Sequence, residues 1–536
     1  MLDLLIKNAQ IIDGSANAKP YIADIAIDNG TIIQISPLIK MSAKRVIDAK
    51  NEIVTPGFID IHRHEDVFVF SKDYGEIQLR QGITTAISGN CGISIVPLPA
   101  KYKKEILNNR KAFLGILPEN KVFESFADYF SVLEKEKLPI NFGTLIGNAS
   151  VHLAIKGFES GKLSSKEIVL AHKEIKKALQ NGVFGISLGI FYPPENLYSF
   201  DDFIKVLEPI RNKNIPLIMH IRGEGDLLVS SVKEAISIAK ELNVPLHISH
   251  YKCVGQRNWG HLLKEATKQI DDSIKSGMKI TLDIYPWTAG ATQLIKLLPP
   301  EFIKGTAEEI VSRLKEPSLR KKCKETLSKR QKHFDNIIDS IGWQNIVIAS
   351  LQTENNQKFI GKRISEIAEI SKKDPFDAAF DLLIEENCNI GIIIFLANKK
   401  DIDSIIKYPY SCIISDSIYP ENGLTHPRQY ATFTKFIAEF VRDRKVLTLP
   451  LAIHKITHLS AKILSISNKG LLKEGYDADI CIFNIDKIES TANYLNPKVL
   501  GKGFSFVIVG GEIANENDTF KRTASGKVIY AKEPNL

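Results

Sequence analysis

The sequence predicts an α/β protein: a closed, TIM-like (β/α)8 barrel carrying a small β-sandwich built from both termini. Three observations carry this expectation. Both ends of the chain alternate apolar and polar positions between turn dipeptides, the period of a half-buried strand. The middle alternates short apolar runs with helical stretches, the mark of βα units and a parallel sheet. No GxGxxG follows a strand, so a closed barrel is favoured over a doubly wound nucleotide-binding sheet.

Taken in order, residues 1–55 read LDLLIKNAQII, DG, YIADIAID, NG and TIIQI, with Asp13-Gly14 and Asn29-Gly30 as hairpin or turn signals. DADICIFNID, FSFVIVGGEIA and GKVIYA repeat the idiom near the other end, so residues 1–55 and 471–536 are expected to share one sandwich. Residues 56–470 hold the candidate barrel strands IVTPGFIDIH, TTAISG, INFGTLIG, GISLGI, IPLIMHI, VPLHISH, KITLDIYP, NIVIAS and SCIISD, about the number a (β/α)8 barrel needs. Residues 289–344 break the rhythm with charged, helical sequence. They read as an insertion over one βα loop, and on the C-terminal face of a barrel such an insertion is a lid.

Composition narrows the function classes. At 536 residues the chain exceeds a single small core, and 44% hydrophobic with 25% charged residues is ordinary globular usage, which excludes a disordered chain. The net charge of +8 is scattered, with much of the excess in LKEPSLRKKCKETLSKRQKH (314–333), a solvated helical face; no nucleic-acid partner is expected. Six separated cysteines without a CxxC pair argue against a disulfide framework and for a reducing cytoplasm. Asp3 and Lys7 interrupt the apolar run a signal peptide would need. The most apolar later run, IGIIIFLA, falls far short of the roughly 20 residues that span a bilayer, so no membrane association is expected. Oligomeric state is left open.

The chemistry begins at PGFIDIHRHED. Side chains at i and i+2 of a strand share a face, so His62 and His64 point the same way, at the strand end where barrel sites are built. Alone, HxH is as well explained by a solvated strand end. NIPLIMHIRGEG and NVPLHISHYKC shift the balance, since each ends an apolar strand in a histidine. His220 and His250 lie 30 residues apart, about one βα unit, with helical periodicity over 227–242 between them. One strand-end histidine is an ordinary core residue; two at equivalent positions, with HxH on the same ring, point to a metal. Cys91 in TTAISGNCGIS supplies a candidate thiolate between small residues, although an isolated cysteine is by default a buried thiol. Asp416, closing SCIISD, adds a carboxylate.

The HxH after a PGFID strand, GNCG, the two later histidines and the late Asp resemble the amidohydrolase superfamily. GNCGIS, FYPP, DIYPWTAG and THPRQYATF are similar to its D-aminoacylase branch, the N-acyl-D-amino-acid deacylases, and the likeness covers nearly the whole chain. The resemblance implies a zinc-dependent hydrolase barrel that cleaves the amide of a small N-acyl-D-amino acid. It assigns Cys91, His220 and His250 to a tight zinc site, His62 and His64 to a second, weaker position, and Asp416 to general base and acid. It also implies that Lys252, Tyr285 and Arg428 hold the substrate carboxylate and polarise the scissile carbonyl, with Phe191 and Tyr192 facing the substrate side chain. Surface charge and ordinary packing are the bland alternatives for these five.

Departures from the pattern are Arg63 between the two histidines, GNASVH at 147–152, HIRGEG, the SDS at Asp416, and Ala431 after Tyr430. His454 and His458 stand i,i+4 on an expected helix, but HKITH lacks the glutamate of a HExxH site. His426 beside Arg428 is an expected supporting group. Two rival functions remain: a cyclic amidohydrolase of the hydantoinase or dihydropyrimidinase kind, which normally needs a ligating lysine on a strand, and a non-catalytic scaffold on the same barrel.

Overall fold

The computed structural model describes residues 1–158, 161–420 and 423–532; the last four residues of the expected 471–536 portion lie outside the described residues. The chain opens with β1 (Leu2–Ile11), β2 (Tyr21–Asp28), β3 (Thr31–Ser36), β4 (Ala43–Asp48) and β5 (Ile53–Pro56). β1 is the hub, antiparallel to β2 (Ile6↔Ile25) and parallel to β4 and β5. Its register with β2 slips between Ile6 and Ala9, where Asn8 takes left-handed backbone (φ 54°) and its N–H donates to Asp24 Oδ1 at 3.1 Å, so the bulge leaves no orphaned donor.

The barrel follows as β6 (Phe58–Asp60), β7 (Ile83–Ser88), β8 (Asn141–Thr144) continuing after Leu145 as β9 (Ile146–Gly147), β10 (Ile186–Gly189), β11 (Leu217–His220), β12 (Leu246–Ile248) and β13 (Ile280–Ile284). These strands are nearly continuous buried runs, as a parallel sheet covered on both faces requires. Helices such as Leu228–Leu242 and His261–Lys275 turn their apolar stripe inward over them.

After β13 the chain leaves the barrel. β14 (Ala289–Gln293), β15 (Ile346–Ser350) and β16 (Gly391–Phe395) form a separate antiparallel sheet in the order β14-β16-β15. This corrects two expectations: the insertion does not end near residue 344 but returns only at β16, and NIVIAS is one of its strands, not a barrel strand. A short apolar run reads alike in either setting, because burial on both faces erases the period-two signal. The insertion owns a core, with Leu294, Leu297, Ile310, Leu314, Ile348, Leu383 and Ile392 in one cluster.

The barrel resumes with β17 (Ser411–Ile413), parallel to β13. Past its end, Ser417 bridges Arg63, and the N–H groups of Asp416 and His64 donate to His62 O (2.9 Å) and Ser417 O (3.0 Å). That closes the expected (β/α)8 ring and ties Asp416 to the two histidines of the first strand. The chain then adds β18 (Ile480–Phe483), β19 (Phe504–Val509), β20 (Glu512–Glu516) and β21 (Thr519–Phe520) to the first sheet, where β18 pairs β5. The nine strands wrap a core of Leu4, Ile6, Ile25, Ile27, Ile480 and Ile508. The stretch after β21 departs from the expected sandwich: Val528 bridges Phe142, so it lies along barrel strand β8.

Candidate metal centre

Each expected ligand arrives at the C-terminal rim for a local reason. His62 and His64 follow β6 directly, and His220 ends β11 in register with Gly189 of β10. Cys91 sits in a loop pinned from three sides. Asn90 Nδ2 donates to Ile61 O and Ile87 O (both 3.2 Å), while Ser187 Oγ donates to Gly89 O (2.5 Å) and accepts from Gly92 N (3.0 Å). Gly189 lets this loop lie against β10, since a Cβ there would stand 2.2 Å from Cys91 O. Cys91, His250 and Asp416 take left-handed backbone, with φ of 53°, 34° and 50°. That conformation is uncommon for residues with a Cβ, and such residues collect at functional sites.

The ligand atoms converge in a buried cluster. Cys91 Sγ lies 3.3 Å from His62 Nε2 and 3.5 Å from His250 Nε2. Asp416 Oδ1 stands 3.5 Å from His62 Nε2 and 3.3 Å from His64 Nε2. Three groups of metal-ligating type overlap in one chain: His62, Cys91 and His250; His62, His64 and Asp416; His220, Glu224 and His250. All six expected ligand and base residues are thus brought together. His62 stands beside Cys91 and His250, where the resemblance implies His220, and groups with His64 and Asp416 as well, while His220 groups with Glu224 and His250.

The donor set fits a cation. Zinc–sulfur and zinc–nitrogen bonds of about 2.3 and 2.0–2.1 Å at a tetrahedral angle place S and N roughly 3.6 Å apart, close to the separations here. Nδ1 of His62 lies 3.1 Å from Asp283 Oδ2, and Nδ1 of His250 lies 2.9 Å from both Glu224 Oε1 and Lys252 Nζ, leaving each Nε2 to face the thiol. His64 Nδ1 and His220 Nδ1 are buried without a hydrogen-bond partner.

Charge points the same way. Burial would raise the Cys91 thiol, but the His62 charge and bonds from His220 and His250 outweigh it and hold the thiol well below its usual value. Burial likewise opposes ionisation of Asp416, Asp283 and Glu224, yet Arg428, His62 and Lys252 respectively lead the groups that keep them below the usual carboxylate range. Four anions therefore face Lys252, Arg428 and the His62 and His250 rings, which the neighbouring anions raise despite burial, and a divalent ion would take the place of the two ring protons.

The expected substrate contacts fare differently. Arg428 Nη1 lies 2.7 Å from Asp416 Oδ2, its guanidinium stacks 4.8 Å from the Tyr285 ring centre, and its Nε is buried without a partner, so one donor is spare. Lys252 Nζ donates to Glu224 Oε1 (2.5 Å) and His250 O (2.8 Å) and stands 2.9 Å from His250 Nδ1. It thereby braces His250 and Glu224. Tyr192 lines a cavity of about 660 Å3 together with Cys91, its ring 4.8 Å from that of His220. Phe191, expected beside it, lies 5.2 Å from the Tyr192 ring and 5.7 Å from that of His220, and its other contacts are with the core of the insertion. His426 Nδ1 accepts from Arg428 N (3.0 Å), supporting that turn. His454 and His458 stand on two helices broken at Thr457, not on one.

Sequence reasoning missed three carboxylates. Glu224 lay in the HIRGEG segment, noted only as a departure. Asp283 lay inside DIYPW and binds His62, His247 Nε2 (2.8 Å) and the His250 N–H. Glu195, pushed up to about 7 by burial, accepts from Asn148 Nδ2 (2.7 Å) and Gly189 N (2.6 Å) behind the cysteine loop. A carboxylate two residues from an aromatic motif or four from a ligand was the available signal.

Comparison with known proteins agrees with this geometry. The amidohydrolase family model matches residues 418–514. An N-acyl-D-aspartate deacylase of Alcaligenes xylosoxydans xylosoxydans is 28% identical over 529 residues, covering 98% of this chain and 95% of the relative. A D-aminoacylase of the same organism is 27% identical, covering 98% and 97%. Among solved structures, an N-acyl-D-glutamate deacylase from Bordetella bronchiseptica, complexed with zinc and a phosphonate mimic of the reaction's tetrahedral intermediate, superposes with a TM-score of 0.82 at 26% identity, covering 99% of this chain and 100% of that one. Barrel, rim and likeness together define a metal-dependent amidohydrolase. Within that class the chain is similar over nearly its whole length to D-aminoacylases and N-acyl-D-amino-acid deacylases.

Proposed function

We propose that this chain hydrolyses the amide bond of N-acyl-D-amino acids, releasing a carboxylate and a free D-amino acid, and that zinc is its metal. The observation that carries this reading is the convergence of Cys91 Sγ with His62 and His250 at 3.3 and 3.5 Å. Cys91, His250 and His220 or His62 would hold one tight ion, and His62 and His64 with Asp416 a second, weaker one. A bound divalent ion supplies a Lewis acid and lowers the pKa of its water to about 7.

The chain's own residues do the rest. Asp416, kept ionised by Arg428, takes the proton of the attacking water and later delivers one to the departing amine nitrogen. Arg428 turns its spare Nε to the substrate α-carboxylate, against the Tyr285 ring. Lys252 and Glu224 hold the His250 ring in place. The rival cyclic-amide reading needs a ligating lysine, and the only strand-end candidate, Lys252, is committed to Glu224 and His250. Filled ligand positions speak against a non-catalytic scaffold. The six cysteines are free, which supports the cytoplasm as the compartment, and no helix among the described residues is long and apolar enough to cross a membrane.

The test is turnover of paired N-acetyl-D- and N-acetyl-L-amino acids by the zinc-loaded enzyme, before and after chelation. The expected result is D-selective hydrolysis that chelation abolishes and zinc restores. Equal rates on both enantiomers, or full activity without metal, would overturn the assignment.

A further inference from the structure

Glu224 stands between Gly223 and Gly225 in HIRGEG, one of this chain's departures from the resemblance, and a glycine on each side leaves the turn little stiffness of its own. Its carboxylate is nevertheless closely set, 2.9 Å from His250 Nδ1 and 2.5 Å from Lys252 Nζ. The constraint comes from the insertion. Asp335, buried between the helices Pro317–Leu327 and Ile337–Ile341, accepts from Gly225 N through Oδ2 (2.6 Å) and from Leu227 N through Oδ1 (2.9 Å). The approach requires a glycine: a Cβ at Gly223 would stand 2.6 Å from Asp335 Oδ2 and 2.7 Å from Leu227 Cβ. From the other side Val254 N donates to Glu224 O (2.7 Å), so the turn is held between Asp335 and the loop after β12.

A second clasp runs alongside. Asp226, its side chain buried, pairs with Arg257 of the loop after β12 (2.6 Å) and with Arg330 of the insertion (2.9 Å), and Arg257 reaches on to Asp339 of the insertion (2.8 Å). The insertion thus grips both rim loops that brace His250, the one that carries Glu224 and the one that carries Lys252. The orientation and basicity of a ligating histidine depend on the carboxylate behind it, and the place of that carboxylate depends on its own support. We infer that Asp335 is a positioning residue of the metal centre: from the insertion it fixes the Glu224 turn, and through Glu224 the His250 ring, so that docking of the insertion sets metal affinity. The inference rests on the metal site proposed above and on no property of the substrate.

The experiment measures zinc affinity by competition with a chromophoric chelator in the wild type, Asp335→Ala, Asp335→Asn, Glu224→Gln and the double variant Asp335→Ala with Glu224→Gln. Leu314→Ala, which hollows the insertion's own core away from this turn, is the control. Asp335→Ala should weaken zinc about tenfold with native circular dichroism, and Asp335→Asn, which keeps one acceptor, should weaken it less. Leu314→Ala should bind as the wild type does. Because Asp335 acts through Glu224, adding Asp335→Ala to Glu224→Gln should cost no further affinity. Wild-type affinity in both Asp335 variants, an equal loss in Leu314→Ala, or losses that add in the double variant would overturn the role of Asp335 while leaving the metal site standing. If Asp335→Ala does not fold, Asp335→Asn carries the same comparisons. A wild-type chain that binds no zinc removes the proposed metal site itself.

Discussion

Cys91, His250 and Asp416 each hold left-handed backbone that an ordinary residue avoids, at a cost of about 1–3 kcal/mol apiece. The expense is tolerated because the turn aims three side chains at one point. Asp283 holds that point steady, accepting from His62 Nδ1, His247 Nε2 and the His250 N–H. Asp283→Asn should therefore weaken metal affinity about 10- to 100-fold, measured by competition with a chromophoric chelator, because the ring orientation and basicity of His62 depend on the carboxylate. Asp416→Asn should act on the reaction instead, lowering kcat by about 10²–10⁴-fold with the fold intact by circular dichroism. The histidines and the cysteine were legible in the sequence because residue type and strand-end spacing speak for themselves. Asp283 was not, although it stands two residues before Tyr285. Its partners come from β6 and β12, and which strand lies beside which is fixed only on closing the ring. The partner of Lys252 was hidden for the same reason: its position after His250 was visible, but not the return of Glu224 across it.

At the level of elements, periodicity located the helices and most strands well. Leu228–Leu242 matches the expected helix between the two histidines almost to the residue. What failed was sorting short buried runs between barrel and insertion, since NIVIAS and SCIISD have the same apolar character and only their pairing distinguishes them. Breaks were equally silent: nothing in HKITH announces the non-helical Thr457. The helix Asn148–Lys156, which stands at the end of β9, offers a pH test. Its His152 is buried, with Nδ1 2.8 Å from Tyr198 OH and Nε2 unpartnered, and burial, aided by Lys156, lowers its pKa to about 4. Unfolded, the ring takes a proton near pH 6.5; folded, only near 4, so its contribution is complete above 6.5 and is lost as pH falls toward 4. Between pH 7 and 4.5 the wild type should lose about 2 kcal/mol more stability than His152→Gln, read from denaturant midpoints at each pH. Parallel curves for the two proteins would refute the account.

On the scale of the whole molecule, the two chain ends build one sheet that grips the barrel at β6. Phe58 of that strand is fully buried and packs on Phe433 of the barrel's last helical region (6.1 Å between ring centres), and on Phe483 (6.4 Å) and Phe504 (5.9 Å) of the terminal sheet. A polar clasp lies near by: Lys469 pairs with Asp477 and Asp479, and Asp479 Oδ2 accepts from Asn141 of β8 at 2.9 Å. Because β5 of the sheet and β6 of the barrel are separated by Gly57 alone, neither part can shift without moving the strand that delivers His62 and His64. Sheet and barrel should therefore unfold together. Phe58→Ala removes the ring shared by both parts and should cost about 3–5 kcal/mol, the usual loss for a buried phenylalanine. In urea, a single transition displaced to lower denaturant, with tryptophan fluorescence and far-ultraviolet circular dichroism coincident, is the expected outcome. If the two parts were independent, the variant would instead resolve two steps, with Trp287 of the barrel reporting only the later one, and the metal rim would survive the first.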